Sequence, residues 1–340
     1  MGPSYLGTEQ LHSGAIIVTE TDVVIGVDLG GTHLRCVLAR PSGDVLDARS
    51  GDSVPPGEIG AVLNSLVAGG RGSAVAVHIA AAGVASPERE AEYRTALNET
   101  SGWLADRLSI GTDVEAAHRA ALGDETGVLV LAGTGSVAWG RGPDGRVARR
   151  GGLGPVLDDR GSGFDLGLQA LRSCVGALDG IQPSTLLTRR VLNALGPVDA
   201  RSLAGWIGAL NRRRKQIASL SVAVMDAWRG GDTEARTFVE NGATELARLA
   251  CAVAEELALT SPTIALAGGV LDGARDYAEL VKSRIANSAP TAVFVENTLP
   301  PIAGAVLIAL DRVNASDSEA ARNRLRLTMP RTFDAFQPTV

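Results

Sequence analysis

A chain of 340 residues, 45% apolar and 21% charged, has the composition of a globular protein and enough length for about two domains that each bury a core. Its net charge of -6 and pI near 5.4 give no overall attraction to nucleic acid or anionic lipid, so neither is expected as a partner. Cys36, Cys174 and Cys251 are odd in number, far apart and set in apolar or helical sequence, which argues against a disulfide framework or a zinc site and for core cysteines of a reducing compartment.

Residues 1–21 are polar and patternless and read as a loose N-terminal extension. No Lys or Arg precedes Arg35 and the apolar run Ala15 to Val18 is short, so no signal peptide is expected. No apolar run approaches the ~18 residues of a membrane span, and the expected compartment is the cytoplasm. The stretch Val23 to Arg40 then sets an acid and a glycine turn between two buried strands. Gly30, Gly31 and Thr32 offer backbone N–H groups and a hydroxyl to a phosphate, and Asp28 offers a carboxylate to Mg²⁺ through water. A hairpin with an Asx turn would look similar.

Glu58 to Leu66 reads as a helix, Ala74 to Ile79 as a buried strand entering the small-residue turn Ala80 to Ser86, and Pro87 to Leu97 as a second helix. The helix from Val114 to Leu122 follows Asp113. Thr112 with Glu115 makes a capping box, so Asp113 is either a first-turn acid favoured by the helix dipole or a general base aimed into a cleft.

From Gly127 the pattern repeats: a strand, the turn Gly133-Thr134-Gly135-Ser136, a second strand and the hairpin turn Pro143-Asp144-Gly145, as Pro41-Ser42-Gly43-Asp44 closes the first unit. Two such units suggest an internal duplication whose facing turns hold opposite sides of one triphosphate. No Rossmann fingerprint opens a helix, and a P-loop is excluded because Lys215 and Lys282, the only lysines, follow Arg214 and Val281 rather than glycine. Arg150 to Leu171 combines dense glycines with Leu153, Val156, Leu157, Phe164 and the acids Asp158 and Asp159, and reads as a binding loop entering a helix near Phe164. Residues 184–259 are mostly helical, and Arg212 to Lys215 is a solvated basic face or a contact for nucleotide phosphates. Thr263 to Ala267 is a buried strand running into Gly268-Gly269-Val270, a close-approach turn suited to a nucleoside. Pro301 to Leu310 is a last apolar helix, and residues 314–340 read as a polar tail.

Together, Asp28 to Thr32, Gly133 to Ser136, the Gly151 to Gly167 loop, Ala267-Gly268-Gly269 and Pro301 to Leu310 resemble the N-acetylglucosamine kinase and BadF/BadG/BcrA/BcrD ATPase family of the actin, Hsp70 and sugar kinase superfamily. The resemblance covers Val23 to Leu310 in order. It implies an α/β, two-domain actin-like ATPase (ribonuclease H-like) fold with duplicated mixed sheets and an interdomain cleft holding ATP and Mg²⁺. Its domains would be 22–113, completed by a C-terminal helix at 302–313, and 114–301. It implies a kinase passing the γ-phosphate to a hydroxyl, expected to be the primary 6-hydroxyl, of a small amino sugar, with a homodimer as the assembly.

In that resemblance Asp113 is the catalytic base and a substrate ligand, and Asp28 orders Mg²⁺. Gly30, Gly31, Thr32, Gly133, Thr134, Gly135 and Ser136 hold phosphates; Ala218, Gly268 and Gly269 border the adenosine; Gly83, Gly152, Leu153, Gly154 and Asp159 contact the sugar. Leu153 stands where the family has tryptophan, Asp158 where it has glycine and Arg160 where it has glutamate. The sugar-gripping asparagine has no counterpart in residues 50–55. N-acetylglucosamine, glucosamine, a muramic acid derivative and a sugar-like cyclitol therefore all remain as acceptors. The rivals are an iron-sulfur ATPase activator of a dehydratase, which the isolated cysteines fit poorly, a sugar-sensing repressor, and a non-catalytic sugar-binding protein.

Overall fold

The computed structural model describes residues 19, 21–30, 33–84, 86–196, 199, 201–203, 210–297, 299–314 and 318–330, without the side chains of 210–213 and 318. Gly31 and Thr32, two of the expected phosphate ligands, lie outside the described residues.

Strand β1 (Asp22–Leu29) is buried along its whole length, as a near-continuous Val/Ile/Leu run at the centre of a sheet covered on both faces must be. Antiparallel β2 (His33–Ala39) and β3 (Val45–Asp52) lie on one side, and parallel β4 (Ser73–Ala81) and β5 (Leu108–Thr112) on the other, giving the order β3-β2-β1-β4-β5. Helices α1 (Pro56–Val67) and α2 (Pro87–Thr100) bury Ile59, Leu63, Leu66 and Leu97 against Ile25, Val27, Val77 and Ile79 on one face. Helix α3 (Asp113–Leu122) leaves the end of β5 directly.

The second sheet holds β6 (Gly127–Ala132), β7 (Ser136–Arg141), β8 (Val147–Gly151), β9 (Thr263–Ala267) and β10 (Val293–Val295). Its order β8-β7-β6-β9-β10, with the first three antiparallel and the last three parallel, reproduces the first sheet strand for strand. The duplicated mixed sheets of an actin-like fold are therefore present. Around this sheet run α4 (Gly163–Leu178), α5 (Leu186–Leu195), α6 (Leu210–Ser219), α7 (Ser221–Arg229), α8 (Thr233–Glu256), the single turn α9 (Gly269–Gly273) and α10 (Arg275–Ser288).

Helix α11 (Pro301–Asp311) follows β10 as α3 follows β5, and the two pack on each other. A side chain at Gly304 would place its Cβ 1.7 Å from the Ala116 carbonyl oxygen, so the backbones of α3 and α11 touch there. Arg119, buried on α3, donates from Nε and Nη2 to the Asp311 carboxylate at 3.2 and 2.9 Å. The other face of α3 sets Val114 against Val137 and Trp139 of the second sheet. The α3–α11 pair thus joins the two sheets.

Two expectations are corrected here. The sequence of residues 314–340 suggests a tail, yet 318–328 form α12 (Ser318–Thr328), whose Ala321 and Leu325, with Met329 just beyond, are buried against the first sheet's α11 face. Arg322 donates to the Ala120 and Ala121 carbonyls, satisfying acceptors at the end of α3. The capping box at Thr112 forms only in half: Thr112 Oγ1 accepts from the Glu115 amide at 3.1 Å, while the Glu115 carboxylate turns to Arg141 at 3.8 Å. Among the described residues no helix is long and apolar enough to cross a membrane.

Candidate active site

Parallel β1, β4 and β5 end level with one another, Leu29 beside Ala81 and Ala81 beside Thr112. Ligands of open α/β sheets bind at such carboxyl ends. Asp28, Gly30, the turn at Gly83 (φ 85°) and Asp113 all lie on this edge. Asp28 faces Arg35 across the β1–β2 ladder and accepts from its Nη1 at 3.1 Å. Burial pushes the Asp28 carboxyl up to about 6 against the pull of Arg35, and Asp113 adds a further push. Two carboxylates thus share one edge.

Asp113 opens α3, where its Oδ1 accepts from the Val114 amide at 2.9 Å. Burial raises its carboxyl, while the Val114 N–H and the Arg149 guanidinium lower it. Asp113 makes no arginine ion pair among the described residues, and its Oδ2 accepts no hydrogen bond there, so that oxygen remains to accept a proton.

The second half of the site grows from the β6–β7 turn. The Gly133 and Thr134 carbonyls accept from the amides of Gly163 and Phe164, the first residues of α4, at 2.8 and 3.3 Å. That fixes the turn at the N-terminus of a 16-residue helix, a position favourable to anions. No hydrogen bond within the described residues engages the Thr134 hydroxyl or the amides of Thr134 and Gly135, so three donors remain for a phosphate. A Cβ at Gly163 would lie 3.0–3.1 Å from Val270 Cγ2 and from the carbonyl oxygens of Ala218 and Gly133. Phosphate turn and adenosine-side residues therefore meet at one point. Gly268, at φ 108°, has its missing Cβ 2.5 Å from the Ala132 carbonyl, so only glycine fits between β9 and β6.

Asp159, expected among the sugar contacts, is 2% exposed and turned elsewhere. Its Oδ1 accepts from the Ser136 amide at 3.2 Å and its Oδ2 from Arg214 Nη2 at 3.1 Å. Ser136 Oγ donates to the Arg160 carbonyl at 2.7 Å, so both Asp159 and Ser136 brace the turn from below. Arg160 itself reaches toward Asp165 at 3.7 Å. Gly152 and Gly154, at φ 72° and 91°, carry the loop past the cleft. Leu153, Val156 and Leu157 are 70–84% exposed, on the stretch expected to be a binding loop.

Two cations, Arg35 and Arg149, escaped the sequence reading, and a third, Lys215, lay in the run read as a solvated face or a contact for nucleotide phosphates. Arg35 was signalled by its register opposite Asp28. Lys215, whose amine is lowered by burial and then by Arg35, brings α6 toward the first sheet's edge. Arg149 had no local signal, since it meets Asp113 only through the fold.

The model of the BadF/BadG/BcrA/BcrD ATPase family matches residues 25–309. An N-acetylmuramic acid/N-acetylglucosamine kinase of Clostridium acetobutylicum is 29% identical over 264 residues, 73% of this chain and 85% of that protein. A solved structure named as a candidate N-acetylglucosamine kinase from Chromobacterium violaceum matches with a TM-score of 0.69 and 27% identity, covering 86% of this chain and 100% of that one. A ROK hexokinase structure from Thermus thermophilus, at 17% identity and a TM-score of 0.58 over 86% of this chain and 99% of that one, shares the fold.

Proposed function

The chain belongs to the BadF/BadG/BcrA/BcrD ATPase family, and from that premise we propose that it is an ATP-dependent kinase of an amino sugar, with Asp113 as its base. The observation that carries the reading is a carboxylate without an ion pair, Asp113, together with a phosphate turn, Gly133 to Ser136, whose Thr134 and Gly135 donors are unengaged among the described residues. The curated relative named for N-acetylmuramic acid and N-acetylglucosamine supports an amino sugar as the acceptor class.

ATP would supply the phosphoryl group, and Mg²⁺, when bound, would offset its charge. Asp28 would hold the metal: among the described residues no cluster of three or more His, Cys, Asp or Glu side chains is available, and magnesium characteristically takes one or two carboxylates and keeps its waters. Gly30, with Gly31 and Thr32, and the Thr134 and Gly135 amides with the Thr134 hydroxyl bind phosphate oxygens from opposite sides. Ala218 and Gly268-Gly269 border the nucleoside. Asp113 accepts the proton of the acceptor hydroxyl as it attacks in line, while the turn donors stabilise charge on the transferring group. Gly83, Gly152, Leu153 and Gly154 line the acceptor side. Residues 22–113 with 302–313 form one lobe and 114–301 the other. A homodimer and the cytoplasm complete the proposal and rest on the sequence reading alone.

Phosphorus–proton correlation NMR of the product made from N-acetylglucosamine and ATP tests the chemistry. Phosphate on the 6-hydroxyl is expected; phosphate on another oxygen would overturn the regiochemistry, and no sugar phosphate would count against this acceptor.

A further inference from the structure

The sequence drew attention to Arg160 as a reversed charge near the acceptor, but the fold gives that role to a different arginine. Arg160 leans on Asp165. Arg35 is paired with Asp28 and Arg214 with Asp159, and Arg150, next to Arg149 on β8, with Glu256. Arg149 alone among these has no carboxylate partner among the described residues. Its exposed side chain crosses Gly152, with Nη2 donating to the Gly152 carbonyl at 3.2 Å. A Cβ on Gly152 would come within 2.6 Å of that nitrogen, so glycine at 152 lets the guanidinium lie flat over the loop. From there it acts on Asp113 without forming an ion pair with it. A cation without a carboxylate partner among the described residues therefore lies on the loop proposed to line the acceptor, within electrostatic reach of the proposed base.

A neutral sugar would leave this charge unanswered. The planar guanidinium fork suits a carboxylate or phosphate, which it binds through two parallel charge-assisted hydrogen bonds. We infer that the acceptor carries an anionic group, a carboxylate or a phosphate ester, which Arg149 receives while Asp113 takes the hydroxyl proton. The inference rests on the kinase reading above and narrows its acceptor to acidic amino sugars. Arg149 is then the residue that selects the substrate, and the Gly152 carbonyl holds its side chain in place.

The test uses the full chain and its Arg149→Gln variant at saturating Mg-ATP. kcat/KM is measured for N-acetylglucosamine, N-acetylmuramic acid, the methyl ester of the latter and N-acetylglucosamine 1-phosphate. The ester matches the acid in shape and removes only its charge. The wild-type chain is expected to favour one of the two anionic sugars over its uncharged counterpart by about 10- to 100-fold, the worth of a hydrogen-bonded charge pair, and the variant to bring that ratio near one. Preference for the acid places a carboxylate at Arg149, and preference for the 1-phosphate a phosphate ester. Equal use of charged and uncharged acceptors by the wild-type chain, or a ratio that survives in Arg149→Gln, would overturn the inference and leave the kinase reading standing. Turnover of none of the four by a chain that binds ATP would count against the kinase reading itself, and the inference would fall with it.

Discussion

Replacing Asp159 with Asn separates two roles for that residue. Asn has nearly the same shape and accepts the left-handed backbone that Asp159 occupies at φ 63°, so the loop can keep its course. The carboxylate, however, holds two donors at once, the Ser136 amide on Oδ1 and Arg214 on Oδ2. An amide has one acceptor oxygen; if it faces Ser136, its NH₂ meets the Arg214 guanidinium donor to donor. Loss of a charge-assisted bond in a site 2% exposed costs about 1.5–3 kcal/mol, a factor of roughly 10 to 100. Because both partners brace the β6–β7 turn, the loss should appear in the KM for ATP. Initial rates with ATP and acceptor varied separately, with a urea midpoint to establish that the variant folds, measure it. A raised acceptor KM with the ATP KM unchanged would refute the geometry and return Asp159 to the sugar.

Leu325→Ala should cost about 2–5 kcal/mol in urea unfolding, because Leu325 on α12 is fully buried against α11; no loss would mean that the segment is a tail. Gly304→Ala should destabilise by about 3 kcal/mol or more, read as a fall in thermal midpoint, since its Cβ would overlap the Ala116 carbonyl; an unchanged midpoint would contradict the α3–α11 contact. Asp28 keeps its proton up to about pH 6, against an ordinary 3.8, so Mg²⁺ must displace that proton in acid. Magnesium activation should therefore weaken by about tenfold per pH unit below 6 and level off above it, and a flat dependence from pH 5 to 8 would remove Asp28 from the metal. The same shift has a stability consequence. Between 3.8 and 6 the metal-free fold binds this proton more tightly than the unfolded chain does, so Asp28 opposes folding above that window and ceases to do so as pH falls through it.

Much of this architecture is legible in local sequence because it depends on local chemistry. The β-branched run before Asp28, the glycine turns and the Pro-Asp-Gly and Pro-Ser-Gly-Asp hairpins mark both strand units, and the sheet orders reproduce their duplication. What was misread depended on partners that lie far away in the chain. Ala321, Leu325 and Met329 do stand at i, i+4 and i+8, a helical stripe that the many arginines around it obscured. The Glu115 half of the capping box was lost to Arg141 on another strand. Arg149 could not have been found from its neighbours, because its significance comes from Asp113, 36 positions earlier in the sequence and brought beside it only by folding.

The central claim is that Asp113 is the base of an acceptor-dependent phosphoryl transfer. The most direct measurement is ATP turnover by the wild-type chain and Asp113→Ala, each with and without an amino sugar. Turnover stimulated by the sugar is expected in the wild-type chain, with kcat about 10²- to 10⁴-fold lower in the variant and the KM for ATP preserved. Near-normal, sugar-stimulated turnover in Asp113→Ala would contradict the account.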